Sequence, residues 1–308
     1  MLRNITQPFK NNTLPRRSLS QQASSNQSSL HYCANIVRQH DYENYLATLL
    51  MTKALRAPAL VVRAFNAEIA RVQDQTTDPH TAAMRLQFWQ DAVNIIYKSN
   101  HQSTDIPAHP VTQELHKVCI SYKLRQRHVE RLITSRNNLL KTKYFRTLED
   151  IEQYSDNTVS TIYYLLLSIA GVTNVHADHA ASHLGKAQGI TNILRSIHVS
   201  NYHKMISLPM DILMKHNISQ ESVLRGLDTE NMRNVAFDVA SRANSHLEKA
   251  RNIEVPKITS QIFLPAVAVD KYLTKLQKVN FNIFDKSLLH GSPMLPFSLY
   301  YKRILNKY

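Results

Sequence analysis

With 308 residues, 43% of them apolar, the chain can bury a sizeable core, and only 5 glycines and 11 prolines argue against an all-β protein rich in tight turns. Its two cysteines, Cys33 and Cys119, form no Cys-x-x-Cys arrangement, which excludes a disulfide framework or a cysteine zinc site. A formal net charge of +14 favours anionic partners, and no apolar stretch approaches the roughly 20 residues that a membrane-spanning helix needs.

The first forty residues contain no Asp or Glu, and Arg3, Lys10, Arg16, Arg17 and Arg38 stand among Ser, Asn and Gln. That composition is expected of a mitochondrial transit peptide, or more plainly of a disordered basic tail. Residues 1–35 are therefore set apart from a single helical domain over 36–308, since no fixed-period repeat and no Gly/Ser linker divides the rest.

Helical periodicity then follows in chain order. Val61, Phe65, Ile69 and Val72 share one helix face, and Leu86, Trp89, Val93 and Ile96 share another. A polar loop over 99–110 precedes a third helix carrying Val111, Leu115, Val118 and Tyr122. Thr147 and Asp150 have capping-box spacing ahead of a helix bearing Ile162, Leu165, Leu166 and Ile169. Another is marked by Ile190, Ile193, Leu194 and Ile197, and Pro209 and Ser219 punctuate short elements after it. Two long helices are expected over 229–251 and 257–279, the second kinked at Pro265, and a last one runs from about Pro293 to the C-terminus.

Between residues 120 and 146, eight basic side chains meet Glu130 alone. Lys123, Arg127 and Arg131 would form an i+4 ridge suited to anionic lipid, an acidic protein surface or RNA, or simply a solvated face. Aromatics are not interleaved as on a base-stacking surface, so a membrane surface or protein partner ranks first and no nucleic acid is expected. His179 and His183 have zinc-like i, i+4 spacing, but His183 continues the apolar face of its helix, so packing is expected in place of ligation. No metal or cofactor and no catalytic residue is read from the chain.

One segment is more specific. Gln188, Thr191, Asn192, Ile193, Leu194 and Arg195 are followed by Ser196 and Ser200. Further on stand Phe263, Leu264, Pro265 and Ala266, then Tyr272, Leu273 and Leu276, then Phe281 to Asp285. Over about 42–305 these positions make the chain resemble the squalene/phytoene synthase family, whose signature helix places acids where Ser196 and Ser200 stand. The resemblance implies an all-α, isoprenoid (trans-prenyl) synthase-type domain. Such enzymes join two prenyl diphosphates with Mg²⁺ held by acid-rich helices.

Aligned on Ala64 and Phe65, the family's first acid motif falls on Ala70, Arg71, Val72, Gln73, Asp74 and Gln75, where Asp74 is the one acid. The resemblance therefore implies a retained scaffold without the metal-dependent reaction. Its vestigial cavity would be lined by Arg71, Asp74, Gln188, Asn192, Ser196 and Ser200. That cavity could still hold an isoprenoid or phospholipid with Arg71 at the headgroup, or support residual prenyl transfer through Asp74. Arg85, Gln87, Phe88 and Trp89 further resemble a mitochondrial branch of the family that serves in building respiratory complex I. That likeness implies a peripheral protein on the matrix side of the inner membrane, early in membrane-arm assembly, with assembly intermediates or other assembly factors as partners.

Overall fold

The computed structural model describes residues 28–76, 78–98, 106–202 and 205–308. Residues 1–27 of the segment read as a targeting peptide, and most of the polar loop, lie outside them. Helix α1 (Ser29–His40) begins ahead of the boundary that composition suggests at 36. The Ser28 hydroxyl accepts from the His31 amide at 3.3 Å, and Cys33, Ile36 and Val37 are buried against α3 (Lys53–Ala70) and α5 (Pro110–Ser121). Acid poverty extends into this helix, but its i, i+3, i+4 apolar face makes residues 29–35 part of the folded body.

Helix α2 (Tyr42–Leu49) leads into α3, and α4 (Pro79–Lys98) precedes α5. Helix α6 (Gln126–Thr142) follows α5 and packs on α4, while α7 (Leu148–Ser155) passes through a π-helical turn at Asp156–Ser160 into α8 (Thr161–Ile169). The capping box at the start of α7 forms as its spacing predicts. Thr147 Oγ1 accepts from the Asp150 amide at 3.2 Å, and the Asp150 carboxylate accepts in return from the Thr147 amide at 3.2 Å.

The 28-residue α9 (Val175–Tyr202) is the central post. Ala177, Ala180, Leu184, Ala187, Ile190, Leu194 and Ile197 are all buried along it, so apolar contacts surround much of its circumference. It lies against the π turn through Gly185 and against the end of α7 through Gly189. A Cβ at Gly185 would stand 2.1 Å from Ser160 Oγ and 2.4 Å from its Cα, and one at Gly189 would stand 2.3 Å from Ser155 Cβ. Only glycine permits that approach.

Short helices α10 (Met210–Lys215) and α11 (Gln220–Leu224) start at Pro209 and Ser219 as expected, and α12 (Glu230–Asn252) packs along α9. The segment 257–279 is not one kinked helix. A 3₁₀ turn at Lys257–Gln261 is followed by a break, and α13 (Ala266–Lys278) starts with Pro265 at its N-cap. Pro265 cannot donate an intrahelical hydrogen bond, and Ile262, Phe263 and Leu264 are driven into the core as an irregular apolar plug. Helix α14 (Leu295–Ile304) has Pro296 in its first turn and ends before the C-terminus. Leu295 and Leu299 close a small satellite core with Ala47, Leu264, Val267 and Ala268.

Candidate functional site

Between α3, α6, α8 and α9 lies a cavity of about 930 Å³. The turn after α3 supplies Arg71 and Asp74, and α9 supplies Gln188, Asn192 and Ser196, so five of the six positions singled out from the sequence share one space. The backbone of Ser200 continues α9, but its side chain lies outside the described residues.

The polar groups at the base of the cavity form a chain. Tyr163 donates its phenol proton to Gln188 Oε1 at 2.6 Å, Gln188 Nε2 donates to Asn44 Oδ1 at 3.2 Å, and Asn44 Nδ2 donates to Asp41 Oδ1 at 2.7 Å. Gln188 thus ties α9 to α2 and α8. Ser196 Oγ is likewise engaged, donating to the Ile193 carbonyl at 2.9 Å. Burial raises the Tyr163 phenol and also raises the Asp41 carboxyl, against the opposing pull of Arg63.

Cations that sequence reasoning did not assign to the site complete it. Arg63 is only 4% exposed, lines the cavity, and has Nη1 3.8 Å from Asp41 Oδ2, while its Nε and Nη2 are buried without a hydrogen-bond partner. The signal was present as a lone arginine inside the apolar run from Ala59 to Phe65. Arg136 belongs by sequence to the basic helix, yet it turns inward. Its Nη2 donates to Asn66 Oδ1 at 2.7 Å and its Nη1 to the Leu132 carbonyl at 2.7 Å, with burial weighing against its charge. Lys143, held in a left-handed conformation at the end of α6, also reaches the lining.

Against Arg63, Arg71, Arg136 and Lys143, the lining offers two carboxylates, Asp41 and Asp74. Leu139, Leu140, Val159, Ile162 and Ile193 supply apolar wall. Chemically, this arrangement suits an anionic headgroup with an apolar chain.

Arg195 of the signature helix serves elsewhere. It pairs with Glu43, donates to the Ala268 carbonyl at 3.3 Å, and sits 4.6 Å over the ring of Tyr272, whose phenol burial pushes up to about 12. It clamps α2, α9 and α13 together.

The outer basic ridge is shorter than its spacing suggests. Lys123 precedes α6 in a left-handed turn, φ 49°, where Leu124 N–H bonds back to the Cys119 carbonyl at 3.0 Å. This chain reversal ends α5, so Lys123 leaves the ridge and only Arg127, exposed, and Arg131, half-buried, share a helix face. His128 between them is held down at about 4 by burial and by Arg127, Arg131 and Arg125.

The histidines of α9 join a row of rings that ends beside a carboxylate. His179 Nε2 lies 3.1 Å from His183 Nε2, His183 Nδ1 lies 2.8 Å from His246 Nδ1, and His246 Nε2 lies 3.1 Å from Glu152 Oε1. Arg242 also pairs with Glu152. The rings follow one another in a line and do not converge. Among the described residues, no three His, Cys, Asp or Glu side chains are arranged to hold a metal ion.

An all-helical body around one large cavity is the architecture of the isoprenoid synthases. The squalene/phytoene synthase family model matches residues 37–295, and the chain belongs to that family. It is similar to the protein named NADH dehydrogenase (ubiquinone) complex I, assembly factor 6 homolog of Drosophila melanogaster, at 39% identity over 99% of this chain and 92% of that one. The corresponding Bos taurus protein, named complex I, assembly factor 6, is 40% identical over 90% of this chain and 82% of its own. Among solved structures, a dehydrosqualene synthase in complex with ligand superposes with a TM-score of 0.75 at 17% identity, over 90% of this chain and 95% of that one, which supports the fold.

Proposed function

We propose that this chain is an assembly factor of mitochondrial respiratory complex I that keeps a synthase scaffold without its metal-dependent prenyl transfer. The observation that carries the reading is the near full-length identity of 39–40% to assembly factors of that name. The cavity agrees with it. Mg²⁺ ions bridging diphosphates require clustered carboxylates, and Asp41 and Asp74 face four lysine and arginine side chains, so the residues present do not fit that metal site.

The protein acts peripherally on the matrix side of the inner membrane, early in membrane-arm assembly, and binds assembly intermediates or other assembly factors. Without the four basic residues ahead of Ser28 the net charge is still +10, which supports such contacts, and among the described residues no helix is long and apolar enough to cross a membrane. The acid-free residues ahead of Ser28 act as the targeting segment, and the α6 face with Arg127 and Arg131 is a docking contact. Reintroducing the chain into cells lacking it, and resolving complex I subassemblies on native gels, tests the reading. Restored assembly supports it, whereas normal complex I without the protein sinks it. Diphosphate release on incubation with farnesyl diphosphate and Mg²⁺ would reject the loss of enzymatic activity.

A second reading is favoured by the cavity itself. An open volume of about 930 Å³ with the partly unpartnered guanidinium of Arg63 on its wall suits a bound acidic amphiphile such as an isoprenoid phosphate or phospholipid. Native mass spectrometry of protein prepared with lipid present decides it, since a mass equal to the bare chain removes the ligand.

A further inference from the structure

Helix α14 is apolar on two opposite faces. Leu295 and Leu299 are buried in the satellite core, while Phe297, Tyr301 and Ile304 are 68%, 63% and 59% exposed. At 100° per residue, Met294, Phe297, Tyr300, Tyr301 and Ile304 fall within about 120° of arc, opposite the two buried leucines. A helix that is apolar all round is normally covered on both sides, and this outer stripe has no cover among the described residues.

Charge identifies what fits it. From Lys286 to the C-terminus there are four Lys and Arg residues and no Asp or Glu. Lys302, half-buried, lies about 80° beyond the Met294 edge of the stripe, on the side of Leu295, and Lys307 is exposed beyond the helix end. Exposed aromatic and aliphatic side chains on a basic, acid-free segment are the pattern of a helix lying in the headgroup region of an anionic bilayer, where rings sit at the interface and cationic groups meet phosphate.

The helix is held rigidly enough to present that face. Arg303 Nε donates to the Leu50 carbonyl at 3.0 Å, and beyond the helix the Tyr308 hydroxyl donates to the Ala250 carbonyl at 2.9 Å. The basic face of α6 differs in kind, since neither Arg127 nor Arg131 adjoins an exposed apolar stripe on its own helix.

The geometry points to α14 as the membrane-docking element, with Phe297, Tyr301 and Ile304 entering the interface of an anionic lipid surface. This rests on the reading of the chain as a peripheral membrane protein and names the surface that does the work. The occupant is the bilayer, not a second copy of the chain or another protein.

The test uses the purified full chain with vesicles of phosphatidylcholine, alone or mixed with phosphatidylglycerol, in flotation assays. Replacing the exposed side chains together (F297S, Y301S and I304S) should weaken partition to the anionic vesicles by at least about tenfold, because three large apolar groups no longer enter the interface. A separate F297W variant should show blue-shifted emission and quenching by brominated lipid, over the constant background of buried Trp89. Unchanged partition of the triple variant, or no quenching of the new tryptophan, overturns the proposal. So does a triple variant that loses only self-association, which would mark the stripe as an interface between copies. Vesicle binding is read with no complex I present, so failure of the assembly reading leaves this result standing.

Discussion

Arg63 Nη1 stands 3.8 Å from Asp41 Oδ2, and this long contact is the ion pair of a guanidinium whose Nε and Nη2 are buried without partners. Such a pair recovers little of its desolvation cost, so it is better suited to meeting an incoming anion than to holding the fold.

Removing the two charges should therefore have opposite effects from removing one. Asp41→Asn leaves a buried arginine alone and should cost about 3 kcal/mol, while Arg63→Met with Asp41→Asn should return to wild-type stability or exceed it. Urea unfolding of both variants checks this. A double variant less stable than the single one would show that Arg63 is structural.

Gly189→Ala sets two effects against each other. Alanine in a helix interior gains up to about 1 kcal/mol over glycine. Its methyl would meet Ser155 Cβ at 2.3 Å, which forces α9 away from the end of α7 and should cost about 3 kcal/mol or more. Gly185→Ala, facing Ser160 Cα at 2.4 Å, should be at least as severe. Denaturant midpoints decide the balance, and an unchanged midpoint for either variant contradicts the packing described.

The histidine row makes stability fall on mild acidification. His183 is lowered from 6.5 to about 4, first by burial and then by His246, His179, Lys186 and Lys249. The unfolded chain therefore binds its proton first. Stability is fully present above about 6.5 and is lost as pH drops toward about 4. His246, also lowered chiefly by burial, and His128, lowered to about 4, act in the same direction. For the partly exposed His183, solvent screening limits the loss to on the order of 1 kcal/mol. Melting temperatures of wild type and His183→Gln across that window should converge at the acid end.

Arg195→Lys keeps the charge and should still destabilise by about 1–2 kcal/mol, because a compact ammonium cannot stack over Tyr272 as the planar guanidinium does while bonding both Glu43 and the Ala268 carbonyl. A melting temperature equal to wild type would remove the clamp.

Much of the fold could be read before any coordinates. The periodic faces of α3, α4, α5, α8 and α9, the Thr147 capping box and the starts of α10 to α12 all follow from local spacing, because each depends on residues within a turn or two. Local signals misled where distant contacts prevailed. Residues 29–35 look like leader by composition, yet Cys33 is buried beneath neighbouring helices, and Pro265 begins α13 because Phe263 and Leu264 sink into the core.

The candidate site divides in the same way. By itself the sequence determined the family, the helical class and the residues at the signature positions, since these are properties of linear order. Only the tertiary structure decided that Arg136 faces inward, that Lys123 leaves its ridge, and that Arg63 joins Arg71 and Lys143 around an open cavity. Apolar periodicity marks the face a helix buries, but which charged side chains meet there depends on segments far apart in the chain, so no local pattern encodes it.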